Sequence, residues 1–341
     1  MARPKFLPDN FVLSLIATVV VASFLPARGM YGTLFSHLAT IAIVILFFLH
    51  GAKLSREALV AAIKHWRLHL LILSSTFVMF PLLSLVLKPV LLPLVTPALY
   101  TGVLFTCMLP STVQSSIALT SMAKGNVPAA VCAASASSVL GIFITPLLAS
   151  LILSTHGSGA ASPLSMVGNI LLELLVPFMA GQIARRWIGG WVTRKKAVLK
   201  IVDNSSIILT VYSAFSAAVI EGLWQTIPLR AIGGLIIVNI VLLAIALIIT
   251  TVVGKRLGFS KADRITIMFC GSKKSVAAGI PMAKVLFAST AAGAGAGAIV
   301  LPLMLFHQIQ LMVCSVLAQR FGARDVSLDA EEDNRKTVTA R

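Results

Sequence analysis

The chain has 341 residues and a formal net charge of +17, yet only 11% of its residues are charged and 58% are hydrophobic; its mean hydropathy is +0.97. Soluble domains carry about 25% charged residues, so the composition excludes a water-soluble globular fold. The basic excess sits between apolar runs and never in a stripe, which argues against a nucleic-acid surface.

A bilayer core about 30 Å thick takes roughly 20 apolar residues per helix. Ten runs of that kind follow one another near 11–26, 34–51, 68–87, 97–122, 127–153, 164–187, 204–222, 231–254, 264–290 and 296–318. The first follows Arg3 and Lys5, and Ala27-Arg28-Gly29 makes a poor cleavage site, so it reads as a retained span after a cytoplasmic segment 1–9. Alternate loops and the tail collect the lysines and arginines, leaving Arg28, Lys88 and Arg230 on the other side. The positive-inside rule then predicts a multi-pass protein of the plasma (inner) membrane with both termini in the cytoplasm. Residues 154–163 read as a linker between two five-span halves, 10–153 and 164–318. Because five is odd, the second half runs inverted, as in many secondary transporters. Residues 319–341 carry mixed charge and read as a disordered cytoplasmic tail. The fold expected is all-α and polytopic, ten transmembrane helices in two inverted repeats.

Each half has a break in its fourth run. The first reads Leu109-Pro110-Ser111-Thr112-Val113-Gln114-Ser115-Ser116, the second Cys270-Gly271-Ser272-Lys273-Lys274-Ser275. Proline removes an amide donor and glycine loosens the backbone, and lipid tolerates such gaps only where they line a cavity. Paired breaks at matching positions are the best sequence pointer to a transport site, here two crossing helices 4 and 9. Lys273, Lys274 and Lys284 lie inside the ninth run, where each charge costs at least about 2.5–3.5 kcal/mol. A snorkelling lysine is the plain explanation for Lys284. For Lys273 and Lys274, adjacent and far from either interface, a functional role is the stronger one. Glu173 in the sixth run is a candidate for the substrate cavity, and so are Gln114, Lys274 and His307. His307 is also a candidate proton relay or a packing residue.

At the two breaks the sequence resembles the bile acid:sodium symporter family. Pro110 to Ser116 is similar to that family's Pro-Gly-Gly-Thr-Ala-Ser-Asn motif, and Ala123-Lys124-Gly125-Asn126 to the turn that follows it. Gly271 to Ser275, Gly279-Ile280-Pro281-Met282 and Phe306-His307-Gln308-Ile309-Gln310 resemble a divergent bacterial branch related to the seventh vertebrate paralogue. The resemblance covers about residues 10 to 318. It implies sodium ligands at Ser115, Ser116, Ser135 and Thr76, but Phe269 stands where the family has its shared glutamate and Lys273 where it has a glutamine. A site that exchanges its carboxylate for an ammonium should no longer attract Na⁺. The Lys273 ammonium is therefore expected to fill the lost ion's space, donating to groups around Ser115, Ser116 and Thr76, and a buried lysine that releases its proton would couple transport to H⁺.

The function expected is a secondary transporter moving a small organic anion by alternating access, without the usual sodium sites and with Lys273 as a route for proton coupling. Alternatives are a non-transporting membrane regulator of ion homeostasis on the same fold and an ordinary sodium/organic anion symporter. The partners are then the organic anion, H⁺ or Na⁺ as coupling ion, and the bilayer. No enzyme motif, cofactor or metal site is expected: Cys107, Cys132, Cys270 and Cys314 have no metal spacing, and no HExxH or GxSxG occurs. The Gly293 to Gly297 run lacks the preceding strand a dinucleotide site needs.

Overall fold

In a computed structural model of the chain, the described residues are 10–53, 65–154, 163–287 and 295–339. Every regular element among them is helical, because within lipid a helix satisfies each backbone group inside its own segment. The helices are α1 Asn10–Phe24, α2 Gly29–Lys53, α3 Trp66–Val86, α4 Pro97–Met108, α5 Val113–Met122, α6 Val127–Ser154, α7 Pro163–Arg194, α8 Lys196–Ile220, α9 Leu229–Arg256, α10 Lys261–Gly271, α11 Val276–Leu286 and α12 Gly295–Thr339. Among the described residues six helices are long and apolar enough to cross a membrane, seven if the bent pair α4 and α5 counts as one span.

That pair turns by 65° at its break. Leu109 precedes a proline and is held extended, at φ −75° and ψ 154°, as the residue before proline must be. In α3 the backbone widens into one π-helical turn over Ser75–Met79, just ahead of Pro81.

A large core forms where α4, α8, α9 and α12 meet, around Phe105, Phe215, Leu235 and Phe306. α2 packs along α7 and α8, α1 along α8, and α12 along α4. Helix surfaces facing away from this core carry apolar side chains such as Leu151 and Trp187, as lipid-facing surfaces do. Several boundaries differ from the expected runs, among them those of α8 and α12. α8 starts at Lys196, so Lys200 and Asp203 belong to the helix and not to a preceding loop. α12 continues as helix to Thr339, where a disordered tail was expected from residue 319. Its Ala, Arg and Glu residues favour a helix that the charge pattern alone does not reveal. Residues 155–162 of the linker and the 288–294 part of the glycine-alanine run lie outside the described residues.

Candidate functional site

The two breaks cross and finish each other's hydrogen bonding. A helix end leaves its last carbonyls without amide partners, and the α4 end finds donors elsewhere. The Ser275 amide donates to Pro110 O at 2.9 Å, Thr145 Oγ1 donates to Met108 O at 2.9 Å, and Lys274 Nζ donates to Cys107 O at 2.7 Å and Leu109 O at 2.8 Å. In return Ser111 Oγ donates to Cys270 O at 2.6 Å, Ser116 Oγ to Phe269 O at 3.3 Å and Thr112 Oγ1 to Lys274 O at 2.8 Å.

The third proton of Lys274 goes to Thr76 O at 2.7 Å, and the reason is local. In the π turn the Phe80 amide bonds to Ser75 O, one residue earlier than α-helical spacing would have it, and the next donor in line would be Pro81, which has no N–H. The Thr76 carbonyl is thus orphaned by the widened turn together with Pro81, and the lysine takes it. The Phe80 ring closes the cage, its centroid 4.3 Å from Lys274 Nζ, within cation–π range. All three ammonium protons are used and none of the side chain is exposed.

These contacts differ from those expected of the two lysines. Lys274 was placed at the substrate cavity and Lys273 among Ser115, Ser116 and Thr76, whereas Lys274 reaches Thr76 and the cavity lining lacks it. Lys273 is equally buried, and its Nζ has no hydrogen-bond partner. Cys270 and Cys314 lie within electrostatic reach of it. The residues Ser272 to Ser275 are not helical, so the roughly 100° step between helical neighbours does not set where the two side chains point. Of the other residues implied as sodium ligands, Thr76 Oγ1 bonds to its own helix at Ile72 O, 2.8 Å. Ser116 is committed to the break, Ser115 Oγ is buried without a partner, and Ser135 sits half-buried on α6. Lys284 Nζ donates to Ser36 O at 2.8 Å, tying α11 to α2 and not snorkelling freely.

Beside the crossing lies a cavity of about 600 Å³, within the 300–1,000 Å³ usual for small-molecule sites. Gln114, Ser115, Ser275, His307 and Gln308 line its crossover side, and His50, Lys200, Asp203 and Asn204 the side formed by α2 and α8. Gln310 sets the state of His307. Its Oε1 accepts from the Lys274 amide at 2.9 Å, so its Nε2 must face Lys274 O, 2.9 Å, and His307 Nδ1, 2.8 Å. An amide nitrogen only donates, so Nδ1 accepts and the neutral ring carries its proton on Nε2. Glu173 lies on α7, but its side chain is outside the described residues.

The α2 and α8 groups were missed in the sequence. Lys53 Nζ pairs with Asp203 Oδ2 across 150 residues of chain, and Asp203 Oδ1 is left without a partner. Both residues sit at span ends, where charges are ordinary, so only the fold reveals that they meet at a cavity. Among the described residues no group of His, Cys, Asp and Glu could hold a metal ion.

Residues 9–323 match the SBF-like CPA transporter family. The chain is 62% identical over 324 residues to "Uncharacterized protein PA2026" of Pseudomonas aeruginosa, covering 95% of this chain and 96% of that one. It is 52% identical over 329 residues to "Putative symporter YfeH" of Escherichia coli K12, 96% of each. It is also 31% identical over 316 residues to "Sodium/bile acid cotransporter 7" of Danio rerio, 90% of this chain and 91% of the fish protein. These names point to transport and not to catalysis. With its apolar helices and the match over nearly its whole length, the chain belongs to the SBF-like CPA transporter family, integral multi-pass membrane transporters on the bile acid:sodium symporter branch that includes cotransporter 7.

Proposed function

We propose that the protein moves a small organic anion by alternating access through the cavity at the crossed breaks, with Lys274 in place of a diffusible cation. The observation that carries this reading is the Lys274 cage. Three main-chain carbonyls and an aromatic face surround one ammonium, which is what a bound monovalent cation would otherwise have to supply at the crossing. The anion is favoured at the crossover side by the His307 Nε2 proton and by the start of α5, whose first turn has no side-chain cap and offers amides and a positive dipole end.

Lys273 is the proton-exchanging group in this reading. An unpartnered buried ammonium is costly, so Lys273, whose Nζ has no hydrogen-bond partner, is the side chain that exchanges a proton as the site opens to one side and then the other. Around this centre the ten spans form two inverted repeats, 10–153 and 164–318, with both termini cytoplasmic and the protein in the plasma membrane of the cell. Glu173 belongs to the substrate cavity in this reading, and Ser135 to the site of the lost ion.

The test is uptake of a radiolabelled organic acid by liposomes holding the purified protein, with either a proton or a sodium gradient imposed. Uptake driven by the proton gradient alone, and lost in Lys273→Gln, is expected. Uptake that requires sodium would overturn the cation replacement, and no uptake of any acid under either gradient would overturn the transport of anions.

A further inference from the structure

A second hollow lies on the outside of the bundle, between α3 and α9. This groove of about 420 Å³ is lined by Leu71, Ser75, Val78 and Leu82 of α3 and by Thr250 and Val253 of α9. The two hydroxyls are turned back on their own helices, Ser75 Oγ donating to Leu71 O at 2.8 Å and Thr250 Oγ1 to Ala246 O at 2.7 Å, so these walls offer carbon. On α3 the lining runs from Leu71 to Val86, about 22 Å at 1.5 Å per residue, against roughly 15 Å for half of the bilayer core. Val78 and Leu82 are each 53% exposed, so the groove opens sideways to lipid. One end is basic. Arg67 lies one turn before Leu71 and Arg256 three residues after Val253, each on the face of its helix that lines the groove. The Arg67 guanidinium sits 5.8 Å from the centroid of the Phe259 ring, which brings the start of α3 to the turn that follows α9. Both arginines are exposed, and among the described residues neither pairs with a carboxylate. Trp66, beside Arg67 and itself exposed, marks this end as headgroup level, where tryptophan collects.

We propose that this groove binds an anionic phospholipid, one acyl chain lying along Leu71 to Val86 and the phosphate at Arg67 and Arg256. The site does not depend on what the cavity at the crossing carries, but it touches the same machinery. Ser75 and Met79 of the π turn line the groove, while Thr76 of that turn gives its carbonyl to Lys274. A Cβ at Gly271 would lie 3.2 Å from Ser75 Cβ and 3.3 Å from Thr250 Cγ2, so the second break packs directly behind the groove. A bound chain therefore holds α3 and α9 together over the crossing and stabilises it.

The test titrates lipid-stripped, detergent-purified full chain with dioleoyl phosphatidylglycerol, dioleoyl phosphatidylcholine or glycerol 3-phosphate, reading the melting temperature and the lipid retained in native mass spectrometry. Phosphatidylglycerol is expected to bind about tenfold more tightly than phosphatidylcholine, because basic residues at the membrane surface attract an anionic headgroup. Glycerol 3-phosphate, which has the phosphate without the chain, should have no effect. In the double variant Arg67→Gln, Arg256→Gln the preference should vanish, whereas Arg194→Gln, Lys195→Gln, which removes two exposed charges at the end of α7, should keep it. Val78→Trp, which fills the groove, should weaken both lipids. Equal binding of the two lipids by the wild-type protein, no binding of either, or stabilisation by glycerol 3-phosphate as large as by lipid would overturn the inference, and these outcomes need no variant to fold. A phosphatidylglycerol preference that survives in the arginine double variant would overturn it as well.

Discussion

Lys273 and Lys274 are chemically identical neighbours with opposite energetic standing. Replacing Lys274 by Met leaves Thr76 O, Cys107 O and Leu109 O without donors and is expected to cost about 2–3 kcal/mol, read as a lowered midpoint in thermal unfolding of the detergent-purified protein. Lys273→Met removes a buried amine that has no partner, so the same measurement should show unchanged or higher stability. A Lys273→Met variant less stable than Lys274→Met would refute the assignment of the two side chains. Gln310 is a third test of the crossing. Leu at this position cannot serve the Lys274 amide and carbonyl or hold the His307 ring, so Gln310→Leu should abolish uptake and lower stability by about 1–3 kcal/mol.

Two helix contacts depend on having no side chain at all. On α2 a Cβ at Gly51 would lie 2.0 Å from Phe178 O, and on α7 a Cβ at Gly181 would lie 1.9 Å from Phe48 O. Small residues let membrane helices approach closely, and packing there stands in for the hydrophobic effect that lipid does not provide. Gly181→Ala must therefore push α7 away from α2, and it is expected to lower the unfolding midpoint and slow uptake. Gly190→Ala, with open space around it, should change neither. The breaks were legible as elements because Pro110 and Gly271 interrupt apolar runs. The π turn of α3 was not: in an α-helix Pro81 would leave Phe77 O without a donor, and Thr76 O loses its own, the Phe80 amide, only once the turn has widened. Propensity does not say where a widened turn falls, and packing against Lys274 selects it.

For the protein as a whole, the proposed function implies that the tethered Lys274 ammonium makes the crossing independent of dissolved sodium. The melting temperature of the wild-type protein is expected to stay constant as Na⁺ replaces a large organic cation at constant ionic strength, because a bound ion would stabilise by RT ln(1 + [L]/Kd). In Lys274→Ala the three carbonyls face a vacated space, and Na⁺ or methylammonium should then raise the melting temperature. A wild-type protein stabilised by Na⁺ would mean that a separate ion site exists. Composition and the spacing of apolar runs by themselves determined that the chain is a helical membrane protein and where its helices break, because lipid permits few backbone solutions and each leaves a mark in sequence, and the residues at those breaks carry the resemblance to its family. Only the tertiary structure decided which lysine holds the crossing, which tautomer His307 presents and that His50 and Asp203 line the same cavity. Those choices depend on side-chain directions at non-helical backbone and on contacts between residues far apart in the chain, which no local pattern encodes.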